Sequence, residues 1–520
     1  MHVSYDVIVV GAGSAGCVLA ARLSEDPACE VLLLEAGPDY PTRGQLPLDI
    51  ADGTRLPSSL SGPHDWGFTS AAGGQGVPSL PLPRGWLVGG SSAVNGTFAL
   101  RGFPEDYDDW EAAGNQGWGF RDVLEAFRGL EADQDHPDRP WHGADGPVPV
   151  RRYPVDERSV LGESFLQAAR KAGHPEVVDH NEPGVVGAGP LPVNTWERLR
   201  MSAALTHLEP ARARPNLTVR SQAPVDRIAI VDGRARGVRL ADGEHLDGGL
   251  VVLAAGAYAS PSVLLRSGIG PADELAALAI DPVVDLPGVG RDLVDHVLVS
   301  VDLAVPPEPV ERPLYQTMVT WRSDGAEGPP DLHLFACGPF DTGRLGDGRQ
   351  EARLLSGLLD PASRGQVRLT SADPSAPPHI DPGYLTDPRD ADRLISGLRE
   401  LRRIRQTEPL WSLADRAELS PGDEVTEEAD LRAALPRLVR TYHHPVGTCR
   451  MGPDPDDGAV VDAGGRLHGV DDLLVADASI MPRIPRANTN LPTMMVAERL
   501  ARVAAPAGAA YAPGSPGGFA

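Results

Sequence analysis

Cysteine, aromatic side chains and basic charge are all scarce in this sequence, and it has no long apolar run. The four cysteines among 520 residues are Cys17, Cys29, Cys337 and Cys449. None forms a CxxC pair, and their scatter excludes a zinc ribbon or a disulfide scaffold. Free thiols in a reducing compartment are expected, and no metal site. No stretch approaches the roughly 20 apolar residues of a membrane span, and the short run Val7 to Val10 lacks the basic flank of a signal peptide. The expectation is a cytoplasmic protein without membrane insertion. Lysine and arginine total 47 against 72 acidic residues, a net charge of −25. Such a surface repels phosphate backbones, so nucleic acid is excluded as a partner. The same field favours neutral or cationic small molecules.

Glycine and proline are plentiful, 58 and 51 residues, which implies many turns and long loops. The length calls for more than one core. Residues 5–10 (YDVIVV) read as a buried parallel strand, CVLAARLSED as an amphipathic helix, and 31–34 (VLLL) as the next strand, together one βαβ unit. Residues 40–80 have no sustained period and read as a surface loop or lid, in which Trp66 is a candidate to close over a pocket. Residues 216–256 read as a β-meander whose last strand, LVVLAAGA, ends near residue 257. Residues 300–435 are mixed, with helical patterns at 389–405 and 427–439. A buried strand is expected at 472–477 and a helix at 492–504, with Asn490 near its cap and Pro492 in its first turn. The tail at 511–520 is expected to be disordered.

Gly11, Gly13 and Gly16 fit GxGxxG between the first strand and helix. Gly11 makes the tight turn, Gly13 lets a pyrophosphate approach the backbone, and Gly16 lets helix and strand pack closely. The phosphates meet the positive end of the helix. Glu35, about 20 residues further on at a strand end, is placed to take ribose hydroxyls. The fingerprint alone does not separate NAD from FAD. A second glycine-dense segment, with Gly89, Gly90, Ser91, Ser92, Asn95 and Gly96, suits backbone laid against a flat ring system.

These segments, with HGADGPV at 142–148, GAYASPSVLLRSGIGP at 256–271, HHPVGTCRMG at 443–452, LLVADASIMP at 473–482 and NTNLPTMMVAERLA at 488–501, resemble the glucose–methanol–choline (GMC) oxidoreductase family, choline-dehydrogenase-like branch. The resemblance runs nearly end to end and is weak only at about 300–435. It implies an α/β chain, α+β overall. A Rossmann-type FAD-binding domain with a β-meander (1–150, 200–299 and 440–510) would adjoin a substrate-binding domain built on an antiparallel sheet (151–199 and 300–439).

The resemblance also implies the site. Gly11, Gly13, Ser14, Ala15 and Gly16 with Glu35 and Ala36 would hold the ADP half of FAD, and Val225 would contact adenine through its backbone. Arg84, Val88, Gly89, Gly90 and Ser91, then Asn95, Gly96 and Thr97, would face the isoalloxazine ring. Ala255, Gly256, Asp477 and Ala478 would hold the pyrophosphate and ribityl chain. Asn490, Pro492 and the start of their helix would meet the flavin pyrimidine. Some relatives bind FAD through a histidine in the glycine-dense segment; Val94 stands there, so the FAD is expected to be non-covalent.

Oxidation of an alcohol needs a base near neutral pKa and a polar group on the substrate oxygen. The resemblance assigns these roles to His444 and Asn488, with His443 a neighbour that can line the pocket and His142 part of a structural turn. The expected reaction is oxidation of a primary or secondary alcohol, with cationic and sugar-like alcohols among the candidates, by a monomer or homodimer. Oxygen or another carrier takes the electrons. A non-redox hydroxynitrile lyase of the same fold and a nicotinamide-dependent dehydrogenase are the alternatives.

Overall fold

The computed structural model describes residues 4–56, 62–73, 75–308, 310–345, 348–414 and 417–505. The tail expected to be disordered lies outside these residues.

The chain opens with β1 (Tyr5–Val10), α1 (Ser14–Leu23) and β2 (Val31–Leu34). The last four residues of β1 and all of β2 are buried, which explains their unbroken apolar character: a parallel strand covered on both faces has no polar side. β1 pairs in parallel with β2, with Val9 opposite Leu33. Further along come β3 (Leu217–Arg220), which extends the sheet beyond β2, then β4 (Val225–Val231), β5 (Arg234–Leu240) and β6 (His245–Leu253). The last three form the expected antiparallel meander. β6 then runs beside β1 in parallel, Val9 opposite Val252. It stops at Leu253, short of the expected end near residue 257, because Gly256 begins helix α2 (Gly256–Arg266). Gly256 has φ +85, a backbone that a continuing strand of L-residues does not adopt.

A second seven-stranded sheet follows, antiparallel throughout. Its centre is β7 (Val297–Val305), β8 (Thr317–Trp321), β9 (Leu332–Phe340) and β10 (Gln350–Leu358). The side-chain period of two divides its residues. Val299, Val301, Leu332, Leu334, Leu354 and Leu358 pack in one core with the helix Val160–Lys171, α3 (Pro388–Arg405) and α4 (Glu428–Leu438). Leu298, Phe335 and Leu355 belong to a separate cluster on the opposite face. The helical patterns at 389–405 and 427–439 are α3 and α4.

The chain returns to the first sheet with β11 (Leu473–Val475), parallel to β6, and the last described element is α5 (Asn490–Ala504), which packs against α1. β1, β2, β6 and β11 therefore finish at one edge of the sheet. In an open α/β sheet the crevice outside the carboxyl ends of the strands is where ligands bind.

Candidate active site

A cavity of about 750 Å³ runs from these strand ends to the inner face of the second sheet. At its first end lie Gly11, Gly13, Ser14, Ala15, Glu35 and Ala36. Gly16 does not line it. A Cβ there would sit 1.8 Å from the Gly11 carbonyl oxygen, so this glycine lets α1 lie against the turn below it. Glu35 accepts the backbone N–H groups of Ala12 and Gly37, both at 2.9 Å, and burial pushes its pKa up to about 7.

In the middle, Val225, Ala255, Gly256, Asp477 and Ala478 line the wall. Asp477 accepts from Gly256 N at 2.8 Å, Ser260 Oγ at 2.6 Å and Ser479 N at 2.8 Å, tying the end of β11 to the start of α2. Arg266 and Tyr258, which the sequence did not single out, line the cavity as well.

The glycine-dense segment contributes Gly90, Ser91, Asn95 and Gly96, with Arg84 and Val94. A Cβ on Gly90 would lie 2.6 Å from Gly13 Cα, so two glycine backbones touch where the two glycine-rich segments meet. Val88, Gly89 and Thr97 are off the cavity wall. Val88 N donates to Pro38 O at 2.9 Å, Gly89 takes φ +101 with its N–H on Ala12 O at 2.7 Å, and Thr97 is buried beneath. These three shape the loop without facing the space it encloses. Pro492 is likewise buried off the cavity, while Thr489, Asn490 and Thr493 line it. Asn490 is the first residue of α5 and Thr489 precedes it at the cap position, so neither Asn490 nor Asn488 is the cap. Asn490 Oδ1 accepts from Ser14 Oγ at 2.8 Å, joining α5 to α1.

His444 and Asn488 meet at the far end. His444 is buried. Its peptide N–H donates to Asp295 Oδ1 at 2.7 Å, and its Nδ1 lies 2.9 Å from Nδ1 of His296. Burial, then the neighbouring His296, His443 and Arg84, hold its pKa well below the usual histidine value. It is neutral at pH 7 and can accept a proton. Asn488 is also buried, and its Oδ1 has no hydrogen-bond partner. A buried carbonyl oxygen left unpaired is costly unless a ligand completes it. His443 lines the cavity with φ +67, its side chain is exposed, and its carbonyl accepts from Arg84 Nη2 at 2.7 Å.

The wall around this end is aromatic and aliphatic: Phe98, Leu298, Tyr315, Phe335, Leu355 and Tyr442. The Tyr442 ring centroid is 4.5 Å from that of His444, and Phe335 stacks on Tyr442 at 5.6 Å. Alternation along β7, β9 and β10 marks one face of this wall, but the mixed composition of residues 300–435 hid the strand boundaries. Trp66, 40% exposed, stacks on Phe68 at 5.6 Å and lines the cavity, so the lid segment does contribute a ring to the site. Residues 40–80 are not all loop; they include a 3-10 turn at Arg43–Gln45 and a short helix at Leu48–Ala51.

His142 stands away from this cavity. Its Nδ1 is 2.7 Å from Glu131 and its Nε2 2.9 Å from Asp179, in a buried cluster that also holds Asp133, Arg101 and Arg152. Glu131, Asp133 and His142 are close enough to share a metal ion. The two guanidiniums already supply their positive charge. All four cysteines are free and buried. No helix among the described residues is long and apolar enough to cross a membrane.

Residues 5–298 and 361–497 match the GMC oxidoreductase family. The chain belongs to the GMC oxidoreductases. It is 37% identical to a 5-(hydroxymethyl)furfural oxidase from Methylovorus sp., covering 96% of this chain and 98% of the relative. It is 35% identical to the mitochondrial choline dehydrogenase of Mus musculus, covering 96% and 89%. A crystal structure of pyridoxine 4-oxidase from Mesorbium loti superposes with a TM-score of 0.89 at 34% identity, over 96% of this chain and 99% of that one. This GMC protein is an FAD-dependent oxidoreductase acting on CH–OH donors. The cavity fits the cofactor: a glycine cradle at the strand ends, a buried carboxylate beyond it, and a base with an unpaired amide oxygen at the opposite end.

Proposed function

We propose that this enzyme oxidises a neutral primary alcohol carried on a planar, unsaturated ring, with His444 as general base and Asn488 holding the alcohol oxygen. The observation that carries the reading is the meeting of a neutral buried histidine and an unpaired buried amide on an aromatic wall. FAD, bound without a covalent link because Val94 offers no nucleophile, supplies the acceptor for the hydride that leaves the carbinol carbon.

Glu35 would present a carboxylate to the ribose hydroxyls, and Gly11 and Gly13 would leave room for the pyrophosphate. Arg84, Gly90, Ser91, Asn95 and Gly96 would face the isoalloxazine ring, and Ala255, Gly256, Asp477 and Ala478 would hold the chain between. His444 takes the hydroxyl proton at Nε2 as the carbinol C–H bond breaks. The Asn488 Nδ2–H group donates to the oxygen as charge moves through it.

The substrate class follows from the wall. Phe98, Tyr315, Phe335 and Tyr442 offer ring faces and edges that suit a flat partner. Of the groups that act on His444, His296 and His333 are neutral at pH 7 and Arg84 is the cation. A substrate ammonium would be repelled here, so the acidic balance of the whole chain does not carry into the site. One relative is named for 5-(hydroxymethyl)furfural and one solved structure for pyridoxine, both ring-borne alcohols, while another relative is named for choline. Residues 1–150, 200–299 and 440–510 form the FAD half in this reading, and 151–199 with 300–439 the substrate half, in keeping with the two sheets.

Anaerobic titration with benzylic and heteroaryl carbinols, choline and sugars tests the proposal by loss of the flavin's visible absorbance. Bleaching by ring carbinols and not by choline supports it. Bleaching by choline alone overturns the substrate class. A flavin-loaded protein that no alcohol bleaches overturns the reaction. His444→Ala should retain flavin and slow bleaching by roughly 10²–10⁴-fold, the usual worth of a general base.

A further inference from the structure

We propose that His296 is a positioning residue for this reaction: its Nδ1 accepts the Nδ1–H of His444 and so leaves the Nε2 lone pair of His444 free for the alcohol proton. The proposal rests on the reading of His444 as base.

The two Nδ1 atoms are 2.9 Å apart, with the rings nearly perpendicular at 88°. A hydrogen bond between like nitrogens needs one proton, carried by one ring. Burial holds both rings in the neutral form, His296 with a pKa lowered to about 3. Two arrangements remain. If His296 donates, His444 carries its own proton on Nε2 and cannot act as a base. If His444 donates, its Nε2 is a lone pair and His296 carries its proton on Nε2. The His296 Nε2 is buried and has no hydrogen-bond partner among the described residues. The reading of His444 as base selects the second arrangement, in which His444 donates.

The distance between the rings is fixed. Asp295, the residue before His296, accepts the peptide N–H of His444 at 2.7 Å. Its other oxygen is held by Tyr384 Oη at 2.5 Å and Thr441 Oγ1 at 2.6 Å. Tyr442 N donates to His296 O at 3.0 Å. Consecutive residues therefore grip His444 twice, Asp295 by its main chain and His296 by its ring. In the reaction the alcohol O–H bond breaks and an Nε2–H bond forms on His444. His296 gains and loses no proton; its lone pair faces the imidazolium as positive charge develops.

The test compares His296→Ala and His296→Asn holoenzymes, because an asparagine amide oxygen lies near the place of the imidazole Nδ1. The alanine variant should keep its flavin and its Kd for the alcohol. It should lose roughly 10–10²-fold in the flavin-reduction rate constant, part of the ~10⁴-fold that a wrong tautomer costs a catalytic histidine. The asparagine variant should recover most of that loss. Equal rates for alanine and wild type overturn the proposal, as does asparagine no better than alanine, which marks a structural role. A second measurement needs no variant at position 296: ¹⁵N NMR of histidine-labelled wild type, with His444 assigned by His444→Ala. A bare Nε2 and a protonated Nδ1 on His444 are expected; a proton on Nε2 overturns the proposal. If His444→Ala reduces at the wild-type rate, the base assignment itself has failed. If only the His296 variants do, this inference alone has failed.

Discussion

Two glycines of the GxGxxG turn have separable duties, and the separation can be measured. A Cβ on Gly16 would stand 1.8 Å from Gly11 O and 2.9 Å from Gly11 C. Ordinary carbon–oxygen contact is roughly 3.3 Å or more, so α1 would have to withdraw from the turn by about 1.5 Å. Both partners are backbone, so no rotamer change relieves the clash. Overpacking costs about 1–3 kcal/mol where side chains can shift; Gly16→Ala should reach the top of that range. Unfolding entropy of about 2.1 cal/mol/K per residue makes this roughly 1 °C per kcal/mol for a chain of this length, so the apoprotein Tm should fall by about 3 °C. Gly13 differs. Its φ is −81, and the nearest atom to its Cβ position is Gly90 Cα at 3.9 Å, an ordinary contact. Gly13→Ala should leave the apoprotein Tm within about 0.5 °C. The new methyl would stand in the cavity where the pyrophosphate approaches α1, costing about 1–3 kcal/mol of FAD affinity, or roughly 5–150-fold in Kd. Thermal unfolding of the two apoproteins and FAD titration by flavin fluorescence give both numbers. Equal Tm losses, or wild-type FAD affinity in Gly13→Ala, would refute the division of labour.

Acid precipitation should release the flavin into the supernatant; colour in the washed pellet would contradict the reading of Val94. Because burial holds His444 below the usual histidine pKa of about 6.5, it stays unprotonated in mildly acidic solution. The kcat/KM plateau should therefore extend below that pH and fall only as pH drops through the depressed pKa; an acid limb at or above it would sink the argument. The folded chain also keeps His180 neutral down to about 4, and His296 to about 3. The unfolded chain protonates first, so each contributes stability that is lost as pH falls below about 6.5, at about 1.4 kcal/mol per pH unit. Glu35, raised to about 7, opposes them with one group against two. Chemical denaturation at stepped pH should show the net decline. His142→Ala should destabilise by about 3–5 kcal/mol, since it leaves Glu131 and Asp179 buried with one cation fewer. Against burial, those carboxylates raise the His142 pKa. Its contribution is thus full below about 6.5 and fades as pH rises through the raised value. An unchanged Tm would show that the two arginines suffice.

The nucleotide half of the fold was legible because its elements are local and its constraints are covalent. A strand, three spaced glycines, a helix and a strand-end carboxylate lie within residues 5–35, and periodicity reads each one directly. The second sheet was not, although its two faces alternate as cleanly. β7 to β10 are strands of five to nine residues joined through a proline- and glycine-rich stretch. Their pairing is set by neighbours far apart in sequence, Leu298 opposite Gly357 and Phe335 opposite Leu355. Nothing in a short window reports which face looks into a cavity.

The site divides along the same line. His444 lies in a compact motif, so resemblance points to it; what makes it useful lies elsewhere. Its ring partner, His296, is 148 residues away, and the aspartate that fixes its main chain is 149 away. Asn488 is a sharper case. The segment before it has neither helix nor strand. It is held by Arg486, which pairs with Asp106 and Asp360, and by Arg483, which pairs with Asp360 and Asp109. Arg486 N also donates to Asp106 Oδ2 at 2.9 Å, across 380 residues. Asp106 is fully buried and in turn accepts from Phe103 N at 2.9 Å. Removing its carboxylate would strand Arg486 and free the loop that aims Asn488. The amide is therefore positioned by long-range charge pairs and not by local backbone preference. Such pairs leave no signature at either end of the sequence, where each partner reads as one more charged residue on an acidic chain.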